Sequence, residues 1–223
     1  MSKNINIAID GPAGAGKSTV AKLVAEKLSY IYIDTGAMYR ALTLKGLRKE
    51  TDLENGLELS TLLAQTKIDL RVIEGNQKVF LDGEDVTSEI RSSEVTNNVS
   101  FVARQKEVRQ EMVKRQKQLA KEGGVVMDGR DIGTHVLPDA SLKVFLSASV
   151  DKRAERRYKE LIENSVEADL ETIKSEIALR DKRDTEREVS PLIKAEDAIE
   201  INTTSLTIGD VVQQIMSLVK ERA

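Results

Sequence analysis

The chain has 223 residues, of which 40% are hydrophobic and 32% are charged, and its formal net charge is -3. This length supports one substantial core with insertions, so we expect one domain with subdomains. The slightly negative charge and the 3% aromatic content argue against a nucleic-acid surface, and zero cysteines exclude disulfides and thiolate catalysis. No apolar run reaches membrane-spanning length and the first residues carry no signal-peptide pattern, so we expect a cytoplasmic protein that does not bind membranes. We also expect a monomer.

The first predicted element is a strand over residues 5–10, which leads into a loop with the sequence G-x-x-x-x-G-K-S at residues 11–18. Apolar residues at helical spacing follow over residues 19–28. Glycine and alanine in such a loop let backbone N–H groups turn toward a β-phosphate, and the next helix directs its positive end to the same place. Lys17 would reach the β- and γ-phosphates, and the Ser18 hydroxyl would bind Mg²⁺. The order strand, loop and helix therefore predicts a bound nucleoside triphosphate.

A second strand is predicted over residues 30–33, followed by a helix with Thr35 as its N-cap. Whether Asp34 and Thr35 act only as caps stays open at this point. Tyr39 and Arg40 stand side by side in the first turns of the same helix, and this pair favours a functional site over simple capping.

A short helix is predicted over residues 52–65, after which the pattern changes. Alternating apolar and charged residues predict strands at 68–72 and 79–81, separated and followed by turns. We interpret residues 66–91 as an inserted antiparallel meander. A sheet of this size is not stable alone, so the meander must pack on the main body of the protein.

The rest of the chain alternates helices and short apolar strands. One long helix is predicted from residue 94 to residue 119, ahead of a glycine pair that ends it. Strands are predicted at 125–127, 142–146 and 198–201, and helices at 150–164, 170–188 and 208–219. Five short apolar strands separated by helices predict an α/β fold of three layers, with a five-stranded parallel sheet between helices.

Ligands of parallel sheets bind beyond the carboxyl ends of the strands. This rule brings residues 11–18, 34–40 and 128–131 to one rim of the sheet, although they are far apart in sequence. The rim thereby gains Arg40 and Arg130 in addition to the glycine-rich loop.

A further group of charges lies on the helix predicted over residues 170–188. Arg180, Arg183, Asp184 and Arg187 fall within about a third of the helix circumference. Like charges at this spacing cost stability unless an anion lies between them, and a polyphosphate is such an anion. The alternative, a solvated helix face with i,i+4 ion pairs, stays open.

Arg153 and Arg157 lie one helical turn apart and allow two interpretations, phosphate binding or a surface helix with neighbouring acidic side chains. No candidate general base stands out in the sequence. This favours a nucleoside monophosphate over an alcohol as the acceptor, because a phosphate with a second pKa near 6 is already largely dianionic at neutral pH.

Four segments occur in this order: IAIDGPAGAGKST, IDTGAMYR, MDGRDIGT and RDKRDTEREVSPL. Together they resemble the bacterial cytidylate kinases over nearly the whole chain, including the inserted meander. The resemblance implies a P-loop NTPase fold with a nucleoside monophosphate (NMP)-binding subdomain and a helical lid. It also implies ATP as donor, Mg²⁺ as cofactor, and CMP and dCMP as acceptors. The implied subdomains are a central region at 1–35, 120–150 and 190–223, an NMP-binding region at 36–119, and a lid at 151–189.

The same resemblance implies the site residues. The ATP site comprises Gly11, Pro12, Ala13, Gly14, Ala15, Gly16, Lys17, Ser18 and Thr19, with Arg153 and Arg157 from the lid, and Ser18 is the metal ligand. The acceptor site comprises Thr35, Tyr39, Arg40, Ser100, Arg109, Arg130, Asp131, Arg180, Asp184 and Arg187. The catalytic set comprises Lys17, Arg130, Arg183 and Arg187.

Selection of the base is expected to depend on Asp184, with Ser100 and Arg109 as donors. Cytosine offers an amino donor at N4, whereas uracil has a carbonyl at that place, so a preference for cytosine follows. Two other functions stay open from the residues alone, a P-loop kinase for another small acceptor such as shikimate and a nucleotide-dependent switch.

Overall fold

The computed structural model describes residues 5–163 and 166–222, which form two compact units. The first, the core unit, contains residues up to Tyr32 and residues from Glu122 onward. The second, the inserted unit, is the continuous segment Ile33–Lys121. No helix within the described ranges is both long enough and apolar enough to cross a membrane.

The described residues form eight strands and eight α-helices. The strands are Ile7–Asp10 (β1), Ile31–Asp34 (β2), Ile68–Ile73 (β3), Asn76–Leu81 (β4), Glu84–Asp85 (β5), Val125–Gly129 (β6), Leu142–Ser147 (β7) and Ile199–Asn202 (β8). The α-helices are Lys17–Leu28 (α1), Thr35–Arg48 (α2), Gly56–Ala64 (α3), Ser93–Ala103 (α4), Lys106–Leu119 (α5), Val150–Glu163 (α6), Leu170–Glu186 (α7) and Ile208–Lys220 (α8). A 3-10 turn at Glu89–Arg91 and a π-helical turn at Ile132–Val136 complete the assignment.

The core unit is built on a five-stranded sheet in the order β2-β6-β1-β7-β8. The central strand β1 is parallel to both neighbours, and Ile9 lies opposite Asp128 of β6 and Val144 of β7. Strand β8 extends the sheet in parallel beyond β7. Every residue of β1 and β6 is buried, which explains why the residues before Asp10 and before Asp128 are continuous apolar runs in the sequence. The predicted five-stranded α/β fold is confirmed.

The main core of this unit lies between the sheet and the helices that cover it. Val20 and Val24 of α1 and Ile215 of α8 belong to the same buried cluster as the strand side chains. Helix α8 begins with a capping box, in which the Thr207 side chain and the Asp210 side chain bond each other's backbone N–H groups.

The inserted unit holds the predicted meander and two apolar clusters of its own. Strands β3, β4 and β5 are antiparallel neighbours, as predicted. One cluster joins α2, α3, α4 and α5, and the other joins α2 to the meander. Arg48 of α2 ion-pairs with Glu84 at 2.7 Å and with Glu89 at 2.6 Å, which holds the end of the meander on the helix.

The N-cap of α2 was predicted at Thr35, and this was wrong by one residue. The Asp34 side chain accepts a hydrogen bond from the N–H of Ala37 at 2.9 Å, and Thr35 is the first helical residue. Both residue types cap helices well, so the sequence alone does not distinguish them.

The long helix predicted over residues 94–119 was also wrong, because it is broken between α4 and α5. Gln105 takes an extended backbone conformation, and its side-chain amide donates to the carbonyl of Phe101 at 3.0 Å. The carbonyl of Ala103 accepts from the Arg109 guanidinium at 2.9 Å. Side chains thus replace the helical N–H donors at the break, while the apolar spacing continues across it.

Candidate active site

The loop at residues 11–18 has a shape that only its glycines permit. Gly11 has φ of 146°, and a Cβ there would collide with the carbonyl oxygen of Leu146 in β7. Gly16 has φ of 89° and is the N-cap of α1 in the left-handed conformation. Helix α1 therefore begins directly at Lys17, with its positive end at the loop.

Neighbouring side chains fix the direction of the peptide groups in this loop. The Ala13 carbonyl accepts from Arg153 at 3.1 Å, and the Ala15 carbonyl accepts from the Thr203 hydroxyl at 3.3 Å. In a trans peptide the next N–H points away from the carbonyl. The N–H groups that follow these two carbonyls therefore point to the opposite side of the loop, which is the arrangement that binds an anion.

Lys17 is a buried cation at this loop. Its Nζ donates to the Pro12 carbonyl at 2.7 Å. Burial, and then the positive charge of Arg130, lower the pKa of Lys17 to about 7, against the attraction of Asp128. An anion bound at the loop would attract the charged form of Lys17 and so raise its pKa again.

Asp128 connects the loop to the sheet through two hydroxyl groups. It lies in β6, beside β1, and is buried. The Ser18 hydroxyl donates to one of its carboxylate oxygens at 3.0 Å, and the Tyr32 hydroxyl donates to the other at 2.8 Å. Hydroxyl and carboxylate oxygens are ligands that Mg²⁺ accepts, with water and phosphate completing the shell. Residues 5–163 and 166–222 contain no group of three or more His, Cys, Asp or Glu side chains able to hold a metal.

Arg130, which directly follows β6, and Arg187, which directly follows α7, lie close to Asp184. The carboxylate is buried and accepts from Arg130 Nε at 3.0 Å, and Arg187 lies 3.9 Å from it. Arg187 also lies 3.8 Å from Asp131. Burial raises the pKa of Asp184, but the charges of Arg130, Arg180 and Arg187 outweigh it and hold the pKa below its ordinary value.

Arg180 adds a further positive charge to this group. Burial, and then Arg130, lower the pKa of Arg180 to about 10, against the attraction of Asp184. Its Nε is buried and has no hydrogen-bond partner within the part of the chain that the structure describes. A buried donor without an acceptor costs free energy, so this side chain is suited to an anionic ligand.

Asp10 joins the phosphate loop to the segment that carries Arg130 and Asp131. It ends β1 directly before Gly11, and its two carboxylate oxygens accept the N–H groups of Ile132 at 2.8 Å and Gly133 at 2.7 Å. These N–H groups belong to the π-helical turn that follows Asp131. Burial raises the pKa of Asp10 to about 6, although the two N–H groups lower it.

We expect Asp10→Asn to remove a pH dependence of stability. Because the folded state raises the pKa of Asp10 above its ordinary 3.8, the folded state binds the proton more tightly, and the wild type gains stability as the pH falls through 6. The gain is about 2 kcal/mol between about pH 7.5 and about pH 4.5. Urea unfolding of both proteins over this range measures it, and a pH-independent difference between them would contradict the assignment.

The arginines of the predicted lid differ in their surroundings. Arg153 is buried and donates to the carbonyls of Ala13 and Ala148 and to Asp181. Arg157 ion-pairs with Glu160 on its own helix at 2.9 Å, which is the surface pairing considered from the sequence. Arg183 is exposed, unlike the other charged residues of its predicted group. The direct roles of these arginines toward nucleotides stay predictions.

In the inserted unit, Tyr39 and Arg109 come together. Both are buried, and the Arg109 guanidinium lies 5.4 Å from the centre of the Tyr39 ring. Thr35 is buried in the first turn of α2, and Ser100 is half-buried near the end of α4.

Arg40 is held by the end of the meander and by α4. Its Nη1 donates to the Thr96 hydroxyl at 2.8 Å and to the Ile90 carbonyl at 3.3 Å. These contacts leave the guanidinium half-buried on α2.

The sequence interpretation missed Asp10 and Tyr32 and left Asp128 undecided. Two signals were available. A carboxylate at the end of a buried strand lies where ligands bind. The alternation of Tyr30 and Tyr32 in a strand also places both rings on one face. The sequence around Asp10 and Tyr32 did not indicate that their hydrogen-bond partners are Ile132 and Asp128, which are distant in the chain.

Comparison with known proteins agrees with this geometry. The sequence profile of the family described as cytidylate kinase matches residues 7–221. The cytidylate kinase of Bacillus cereus is 60% identical over 219 residues, which cover 98% of this chain and 97% of that protein. The cytidylate kinase of a Geobacillus species is 62% identical over 222 residues, covering 100% and 99%.

A gluconokinase from Sinorhizobium meliloti has a similar fold, with a TM-score of 0.52 at 14% identity over 100% of this chain and 95% of that chain. This likeness concerns the fold alone. The family profile and the two relatives extend along nearly the whole sequence, and on that basis the chain belongs to the cytidylate kinase family.

Proposed function

We propose that the chain transfers the γ-phosphoryl group of ATP to CMP and dCMP, giving CDP and dCDP. It is an ATP-dependent kinase of the cytidylate kinase family. The observation that carries the proposal is the group of positive charges formed by buried Lys17, half-buried Arg180 and Arg130, in which desolvation and Arg130 lower the pKa values of both Lys17 and Arg180. Such a site favours an anion with several charges, and phosphoryl transfer between two nucleotides supplies one.

The chemistry is an in-line displacement. An oxygen of the acceptor phosphate forms a bond to the γ-phosphorus, and the bond between that phosphorus and the β,γ-bridging oxygen breaks, so that ADP leaves. We assign Lys17 and the loop N–H groups to the β- and γ-phosphates, and Arg130, Arg183 and Arg187 to the transferring group. These cations offset charge that spreads over the equatorial oxygens.

Mg²⁺ would be held by Ser18 and Asp128, the latter directly or through water. The donor set fits the ion, because both groups offer hard oxygens beside the first turn of α1. When bound, the ion would supply positive charge that offsets the negative charge of the phosphates.

Ten residues are assigned to the acceptor nucleotide, namely Thr35, Tyr39, Arg40, Ser100, Arg109, Arg130, Asp131, Arg180, Asp184 and Arg187. Arg40 would bind the monophosphate, and Asp184 would accept the N4 amino group of cytosine. A monomeric state and a cytoplasmic location stay predictions.

A coupled assay for ADP over several acceptors tests the proposal. With CMP, dCMP, UMP, AMP and shikimate at equal concentrations, we expect the highest kcat/KM values for CMP and dCMP. Equal or faster turnover of AMP would contradict the assignment of the base site. Turnover of shikimate alone, or ATP hydrolysis that no acceptor accelerates, would contradict the whole proposal.

A further inference from the structure

We propose that Tyr32 is a positioning residue for the metal site, in which its hydroxyl holds Asp128 in the orientation that receives the Ser18 proton. The inference rests on the proposed function, because it concerns the Mg²⁺ that accompanies ATP. It adds a residue outside the phosphate loop whose effect is on the metal and not on the nucleotide itself.

The geometry shows a hydroxyl donor at each oxygen of the Asp128 carboxylate. Tyr32 donates to Asp128 Oδ1 at 2.8 Å and Ser18 donates to Oδ2 at 3.0 Å. Asp128 is 3% exposed and Tyr32 is half-buried, whereas Ser18 is exposed at the start of α1. The buried side of the carboxylate is therefore fixed from β2, and its other side faces the hydroxyl that the ligand would meet.

The direction of the Ser18 proton explains why this orientation matters. A hydroxyl that binds a cation must present a lone pair to it, so its single proton has to point elsewhere. Asp128 Oδ2 accepts that proton, which leaves the lone pairs of Ser18 Oγ for the ion. Residues that orient metal ligands in this way affect metal affinity by about 10-fold or more when they are removed.

The segment that leads into β2 also offers a matched control. Tyr30 lies two residues before Tyr32 and is likewise half-buried, and its hydroxyl accepts the N–H of Ile5 at 3.2 Å. Tyr30→Phe and Tyr32→Phe therefore delete the same atom from the same segment, and only the second deletes a contact to Asp128.

The experiment measures the Kd of ATP by calorimetry without acceptor, at no free Mg²⁺ and at saturating Mg²⁺. The Kd without Mg²⁺ divided by the Kd at saturating Mg²⁺ measures the coupling between metal and nucleotide. We expect Tyr32→Phe to reduce this ratio by about 10-fold while leaving the metal-free Kd unchanged, and Tyr30→Phe to keep the wild-type ratio.

The outcomes separate the inference from the function on which it rests. A wild-type ratio of one would overturn the assignment of the metal, and the inference with it. A wild-type ratio above one that Tyr32→Phe preserves would overturn the inference alone. An equal loss in Tyr30→Phe, or a weaker metal-free Kd in Tyr32→Phe, would show a general effect of the strand and would also overturn it.

Discussion

Replacing Lys17 by methionine is expected to lower kcat by about 100- to 1000-fold, the usual effect of removing one group that stabilises developing charge. Lys17 is buried at the loop with its Nζ 2.7 Å from the Pro12 carbonyl. Methionine keeps most of the volume and removes the charge. Initial rates with CMP and ATP, each varied at saturation of the other, give the effect on kcat separately from that on KM.

The same substitution should not unfold the protein. Burial and Arg130 lower the pKa of Lys17 to about 7, so the folded state holds this cation at a cost that methionine removes. We therefore expect an unchanged or higher Tm without nucleotide. Lys27→Met, in the exposed last turn of the same helix, is the control and should keep the wild-type kcat. A Lys17→Met enzyme with wild-type kcat would exclude Lys17 from the catalytic set.

Asp184→Asn is expected to change both selectivity and stability. The carboxamide offers an N–H group that uracil O4 can accept, so the preference for CMP over UMP should fall by about 10- to 100-fold. The substitution also removes the negative charge that faces Arg130, Arg180 and Arg187, which should lower the free energy of unfolding by about 3 kcal/mol. The ratio of kcat/KM for CMP and UMP measures the first effect, and urea unfolding measures the second.

Asp181→Asn separates these two effects. Asp181 lies on the same helix and ion-pairs with Arg153 at 2.6 Å, so the control also loses a partly buried pair. It has no assigned contact with the base and should keep the wild-type preference for CMP. If Asp184→Asn lost stability but kept the CMP preference, Asp184 would be a structural counter-charge and not a selector of the base.

The sequence was sufficient for features that depend on local pattern. The strand, glycine loop and helix around Lys17 follow from spacing alone, and the meander at residues 66–91 follows from alternation and turn residues. The rule that ligands bind beyond the carboxyl ends of parallel strands correctly placed Arg130 and Asp131 at the end of β6. That end lies beside the end of β1, from which the glycine-rich loop begins.

What the sequence could not provide are contacts between distant residues. The hydrogen bonds from Arg130 to Asp184 and from Tyr32 to Asp128 join residues on separate elements, and no periodicity encodes them. The break at Gln105 was missed for a different reason. Its apolar spacing is that of a continuous helix, and the hydrogen bonds of side chains replaced those of the backbone.

The order of strands in the core unit has a consequence for how the protein is made. Strand β1 is synthesised first, but its partner for Ile7 on one side is Val126 and on the other Leu142. The inserted unit, by contrast, is one continuous segment with apolar clusters of its own, so its contacts are available as soon as Lys121 has left the ribosome. Since local contacts form before distant ones, the inserted unit should gain structure during synthesis. The phosphate loop should become ordered only after β6 and β7 have been synthesised and have paired with β1.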